Sequence, residues 1–298
     1  MRYGFCLPHH RSYATRDLIL DTARRGEALG YDTIWLSDHI VPPLDERFRR
    51  VYFEPLVLTG WVASVTSRVK LGYSVLVLPY RNPVVLAKQL ATIDVMSEGR
   101  IIVGVGVGVL EVEYRALGVP FHRRGRLANE YLRVIRELWT NERPTFHGET
   151  VHVEDVYSLP KPHQRPGPPI VVGGESAPAI RRAVELGDGW HPSTMPLPEL
   201  AEGIRSYRAM CAEIGRPAGQ ISYRTRFGFR DAPHDRSTGP REPFFGTPAE
   251  IVADLEACAA AGVDELNIEP GAPWVESAEE WSALFDRFTT DVLPHGPR

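Results

Sequence analysis

Long apolar runs are missing from this 298-residue chain. Nowhere do eighteen consecutive apolar residues occur, which speaks against a membrane-spanning helix. Cysteine is scarce. Cys6, Cys211 and Cys258 are odd in number, widely spaced and form no CxxC pair. That argues against a disulfide framework or a zinc site, leaves no metal ligands to nominate, and suits a reducing cytoplasm. Neither sign of charge dominates, and a formal net charge of −4 offers no general attraction to nucleic acid or an anionic membrane. No HExxH, Walker or GxSxG motif occurs, so metalloprotease, nucleotide hydrolase and α/β-hydrolase chemistry lose support. The N-terminus enters a short apolar run, Tyr3–Leu7, without the basic region and long hydrophobic stretch of a secretory signal.

What is present has the composition of a globular protein, 43% hydrophobic and 24% charged. Strand and helix patterns alternate along it. Strand-like runs cover Tyr3–Leu7, Thr33–Leu36, Val69–Leu78, Ile101–Val105, Ile170–Val172, Gly189–His191, Ser222–Phe229 and Glu265–Ile268. Helical spacing covers about Arg16–Leu29, with Gly30 as its stop, then Val84–Met96, Ala177–Leu186 and Pro248–Ala261 before Gly262. Eight apolar strands with helical crossovers predict an α/β fold, a (β/α)8 TIM-type barrel. A single domain over residues 1–298 is expected, with insertions at about 109–168 and 230–245. Within the first, Thr145–Tyr157 alternates around His147-Gly148 and predicts an inserted hairpin; Arg230–Phe245, rich in Pro, Gly, Asp and Arg, predicts a mobile loop near the active face.

In such barrels the working groups sit at the C-terminal ends of the strands, which turns scattered polar residues into a candidate site. After the second strand come Ser37, Asp38 and His39. The imidazole of His39 can handle protons near neutral pH, with Asp38 fixing its tautomer, or it can simply cap the strand. His9 and His10, after the first strand, read as a solvated loop pair. Gly173-Gly174 precedes a helix, where backbone N–H groups can receive an anion or merely make a tight turn. Glu175 beside them repels phosphate and suits a hydroxyl instead; His191 ends the sixth strand. The Gly104–Gly108 run, spaced GxGxG, lacks the setting of a dinucleotide fingerprint and reads as a place where a planar ligand lies against the backbone. The basic run His122–Arg126 reads as a solvated helix start or an anion site.

Four stretches carry a family resemblance: EALGYDTIWLSDHI (27–40), RVKLGYSVLVLPYRNPVVLAKQLATIDVMSEGRIIVGVGVG (68–108), EYRALGVPFHRRGR (113–126) and PIVVGGESAPAIRRAVELGDGW (169–190). Through them the chain resembles the luciferase-like monooxygenase superfamily, and within it the oxidoreductases that use the deazaflavin coenzyme F420. The resemblance implies a coenzyme at the barrel mouth, with Asp38 and His39 beside the ring and a strand-three bulge behind it, often with a cis peptide, here Ser74–Val75. It further implies a tail phosphate on Gly173 and Gly174; Gly106, Gly108, Glu175 and His191 join the expected cofactor site by their places at the strand ends. Arg81 and Arg123–Arg126 offer positive charge for the acidic tail of F420. One position departs from the pattern: Val109 stands where related sugar dehydrogenases place a proton-donating glutamate. The expected activity is hydride transfer between F420 and a small organic substrate, with His39 as proton carrier, in a cytoplasmic homodimer with no nucleic-acid or membrane partner. Two alternatives stand beside it, a reduced-FMN monooxygenase and a flavin-binding paralogue without catalysis.

Overall fold

The computed structural model describes residues 1–45, 51–235, 237, 239–271 and 275–297. Twelve described strands appear: β1 (Arg2–Cys6), β2 (Thr33–Leu36), β3 (Lys70–Tyr73), β4 (Leu76–Val77), β5 (Ile101–Gly106), β6 (Phe146–His147), β7 (His152–Val153), β8 (Ile170–Gly173), β9 (Gly189–His191), β10 (Gln220–Phe229), β11 (Phe245–Gly246) and β12 (Glu265–Pro270). The parallel order β10-β12-β1-β2-β3-β5-β8-β9 is closed by pairing of β9 with β10, and β4 continues the line of β3 against β5. This is the closed eight-position barrel the alternation predicts.

The helices that cover it are α1 (Arg16–Ala28), α2 (Pro55–Ala63), α3 (Pro83–Met96), α4 (Glu111–Ala116), α5 (Arg124–Thr140), α6 (Ala177–Leu186), α7 (Leu197–Glu213), α8 (Pro248–Ala261) and α9 (Ala278–Asp291). Their ends follow local chemistry. Thr247 and Glu250 cap α8 reciprocally with Pro248 in its first turn, and Gly262 ends it in the left-handed region at φ 95°. The strands are buried on both faces, β5 and β12 along their whole length, because side chains fill the barrel interior while helices seal its outside. Four helices, α2, α4, α7 and α9, lie outside the sequence expectations, which cover only the start of α5.

Three expectations about chain organisation meet different outcomes. The hairpin is there: β6 pairs antiparallel with β7 in a sheet of its own, outside the barrel. The third strand is not continuous, since β3 and β4 are separated at Ser74-Val75. Within Arg230–Phe245, residues 236 and 238 lie outside the described residues, but the C-terminal part is not the loose loop its composition suggests. Asp254 of α8 accepts from Arg241 Nη2 at 2.6 Å and from Phe244 N at 2.7 Å, and the Phe244 ring is fully buried. No described helix is long and apolar enough to cross a membrane.

Candidate active site

At the C-terminal ends of the barrel strands lies a cleft of about 740 Å³, bordered by His39, Val75, Gly106, Gly174 and Arg224 among others, a size suited to a cofactor with a small reactant. A hollow of about 360 Å³ among Arg2, Lys70 and Glu265 lies at the opposite end, the face that in such barrels serves stability.

His39 stands at the edge of the cleft, its side chain 28% exposed, and Nδ1 meets Glu113 Oε2 at 2.9 Å. Glu113 is fully buried on α4. Its Oε2 also accepts from the Tyr80 hydroxyl at 2.9 Å, and its Oε1 accepts from the N–H groups of Ile40 at 2.7 Å and Val41 at 3.1 Å. Burial pushes this carboxyl upward, but the bonds from His39, Ile40 and Tyr80 prevail and hold it below its ordinary value. A carboxylate fixed in this way holds a proton on Nδ1 and makes Nε2 the nitrogen that exchanges protons.

The group orienting His39 is therefore Glu113, and the assignment of that role to Asp38 is corrected. Asp38 is committed elsewhere. Its two oxygens accept from Arg81 Nη1 at 2.6 Å and Nη2 at 2.9 Å, and Oδ2 also accepts from Val77 N at 2.9 Å. Arg81 reaches on to Glu54 at 2.6 Å. This bidentate pair ties the loop after β2 to β4, and it leaves Arg81 neutralised and unsuited to an acidic coenzyme tail.

Behind the cleft the Ser74–Val75 peptide is cis, as the resemblance implied. His191 backs it from inside the barrel, with Nε2 at 2.7 Å from Ser74 Oγ, Nδ1 at 2.6 Å from Ser222 Oγ and its ring stacked on Trp35. Burial pushes this imidazole down to about 3, so it is neutral and supports Ser74 from behind. The glycines of β5 and β8 have a different first purpose from the one the sequence suggested. A methyl group at Gly104 would collide with the Tyr73 carbonyl; at Gly106 it would lie 2.5 Å from Val75 Cγ2, and at Gly173 2.8 Å from Val75 Cγ1. They make room for the bulge. Gly106 and Gly108 border the cleft as well.

Gly174, at φ 107°, turns the chain from β8 toward α6, whose N-cap Ser176 makes no side-chain capping bond. In the first turn of α6 Pro178 has no N–H and Ala179 N donates to Ser176 O at 2.8 Å, so the backbone donors bordering the cleft belong to the turn of Gly174, Glu175 and Ser176 ahead of the helix. Glu175 accepts from Ser193 N at 2.8 Å, joining the loops after β8 and β9. Of the basic run, Arg124 alone is among the cleft-lining residues; its guanidinium lies 3.9 Å from the Phe121 ring centroid. Arg123 pairs with Glu149. The run is not merely a solvated helix start.

The pair His9 and His10, expected in solvent, is buried. His9 Nδ1 donates to Leu7 O at 2.7 Å while Nε2 accepts from Ser37 N at 2.9 Å, so its ring joins the ends of β1 and β2. His10 Nε2 meets Glu269 Oε1 at 3.1 Å. Glu269 also accepts from Arg11 and Arg224, each at 2.7 Å. Cys6, His10 and Glu269 come within 4.8 Å of one another, yet the group does not suit a cation. Burial pushes the Cys6 thiol up to about 11, and two arginines already hold the carboxylate.

The sequence profile of the family described as luciferase-like monooxygenase matches residues 1–230. F420-dependent glucose-6-phosphate dehydrogenase of Kineococcus radiotolerans is 32% identical over 287 residues, covering 90% of this chain and 80% of that protein. The enzyme of the same name from Amycolatopsis mediterranei is 35% identical over 289 residues, covering 92% and 82%. Among solved structures, an F420-dependent secondary alcohol dehydrogenase in complex with an F420-acetone adduct superposes with a TM-score of 0.82 at 18% identity, over 100% of this chain and 99% of that one.

Proposed function

The chain belongs to the luciferase-like monooxygenase family, and from that membership we propose an oxidoreductase that uses coenzyme F420 to exchange a hydride with a small organic substrate. The observation that carries the reading is the His39–Glu113 pair, set at the edge of a cleft that also has an uncapped helix start among its borders. Sequence relatives at 32% and 35% identity that are F420-dependent dehydrogenases support it. The residues present fit such a group. Ser74 and Val75 offer a wall for a ring, Gly106 and Gly108 leave it uncrowded, and Gly173, Gly174 and the turn up to Ser176 offer backbone donors to a phosphate, with Arg124 nearby.

When bound, the deazaflavin supplies hydride chemistry; position and proton handling fall to the protein. His39 Nε2 takes the proton from a substrate hydroxyl in oxidation and returns it in reduction. Glu113 keeps Nδ1 protonated and the ring in place, stabilising the imidazolium while the proton resides there. His39 thus needs no acid at position 109, where Val109 is exposed.

Titrating the purified protein with F420 and FMN in parallel tests the reading. F420 should bind at least about tenfold more tightly, a difference of about 1.4 kcal/mol; tighter FMN binding sinks it in favour of a flavin monooxygenase. In single-turnover mixing, an alcohol or carbonyl substrate should reduce or oxidise the bound coenzyme. A protein that binds F420 and never exchanges its electrons is a binder without catalysis.

A further inference from the structure

Three strands on the side of the cleft away from the bulge, β10, β12 and β1, hold a charge imbalance. Glu269 of β12 is 2% exposed, and both its oxygens are in use. Arg11 holds Oε1 and Arg224 holds Oε2, each at 2.7 Å, while Arg226 stands off at 4.0 Å with its side chain 58% exposed. Among the described residues no second carboxylate pairs with any of the three. His10 does not alter the balance, since burial holds it neutral, down at about 3. Three guanidinium groups therefore face one carboxylate, and all three arginines border the cleft.

An excess of positive charge in a partly enclosed cleft attracts a complementary anion. Guanidinium groups match carboxylate and phosphate geometry through parallel N–H donors. We propose that the second reactant carries such an oxyanion, a carboxylate or a phosphate, and that Arg226 and Arg11 receive it, with Arg224 and Glu269 holding the cradle in shape. This rests on the reading that F420 occupies the glycine-lined side. Barrel order sets the two places on opposite strands, with Arg224 as the link between them, since its Nη1 donates to the Ser74 carbonyl at 2.9 Å. The bulge and the phosphate-binding turn lie on β3–β4, β5 and β8, whereas the cradle lies on β10, β12 and β1, across the mouth.

Tyr52 links the cradle to the chemistry. Its ring packs edge-on to His39 at 5.0 Å between centroids and stacks on His10 at 6.1 Å. The substrate class is then a small hydroxy or oxo compound that also carries a charged oxyanion.

Arg226→Gln tests the cradle at an exposed position where folding is not at stake, with inorganic phosphate as the probe and calorimetry at fixed ionic strength. Protein saturated with F420 should bind phosphate, and the variant should bind it at least about fivefold more weakly. Arg226→Lys should recover part of the loss, and F420 affinity should change less than about twofold in either variant. Three results overturn the proposal: no phosphate binding by the native protein, equal binding by Arg226→Gln, or competition between phosphate and F420, which would make the cradle a coenzyme-tail site. If F420 does not bind at all, the functional reading fails separately. Phosphate titration of the coenzyme-free protein and the same variants then decides the cradle alone.

Discussion

On one side of the cleft, β4, β5 and β8 contribute glycines, a bulge and backbone donors; on the other, β10, β12 and β1 contribute three arginines around one buried glutamate. The first wall works by lacking side chains, so nearly any substitution disturbs its shape, while changes of pH or salt leave its donors untouched. The second works through charge on long side chains, tolerates changes of shape and responds to salt. The difference suggests which reactant each wall suits: a fixed, shared ring on the rigid side and the reactant that distinguishes this enzyme on the charged side.

The largest expected effect lies between the walls, where His39 meets Glu113. His39→Ala should lower turnover by about a hundred- to ten-thousand-fold while F420 affinity stays within about tenfold. Glu113→Gln should cost less, about ten- to a hundred-fold, because an amide still accepts hydrogen bonds but no longer stabilises an imidazolium. It should also shift the imidazole limb of the pH–rate profile, which a purely structural change would leave in place. Normal turnover by coenzyme-saturated His39→Ala would make His39 scaffold; an unmoved limb in Glu113→Gln would do the same for Glu113.

Next in size is the contrast between walls. Gly174→Val places a β-branched residue at φ 107° and should weaken F420 binding by about tenfold or more, or at least about 1.4 kcal/mol. The barrel should stay folded, with a melting temperature lower by several degrees for a backbone cost of about 1–3 kcal/mol. If the F420 affinity of Gly174→Val is unchanged, the phosphate does not lie on this turn.

The smallest effect concerns stability in acid. Burial lowers His9, His10 and His191, the last two to about 3 from an ordinary 6.5. The folded protein therefore favours the neutral rings, and the unfolded chain binds more protons between those values. Their contribution is complete above about pH 6.5 and is lost progressively as pH falls toward 3. Glu269, against whose burial Arg224 and His10 prevail, is held well below 4.5, and its contribution fades only at lower pH. Calorimetric melting temperatures should thus decline between pH 6.5 and 4, and His191→Gln should flatten that decline. An equal slope in native and variant proteins would remove His191 from the account.

Much of the barrel was legible because apolar runs of strand length recur between helical patterns; Thr33–Leu36, Gly189–His191 and Pro248–Ala261 coincide with their elements. The break in strand three was hidden by an unbroken β-branched run, and only the family resemblance pointed to it. In the site, His39 was found by its place after a strand, but its partner was not. Asp38 adjoins it in sequence, yet neighbouring residues leaving a strand point apart, and Asp38 turns to Arg81 while Glu113 arrives from 74 residues away. His9 and His10 were misplaced for a related reason. Loop composition suggests solvent, whereas these rings serve the backbone of Ser37 and the carboxylate of Glu269.

The Tyr73 carbonyl and the Val75 side chain fill the spaces that Gly104, Gly106 and Gly173 leave open. Straightening that strand would empty all three at once, while adding a side chain at any one of them would evict the bulge. These positions therefore form a lock whose parts cannot drift singly. A lineage would inherit them together or lose them together, and a designer grafting this cleft onto another barrel would have to transplant the strand break and its three glycines as one piece.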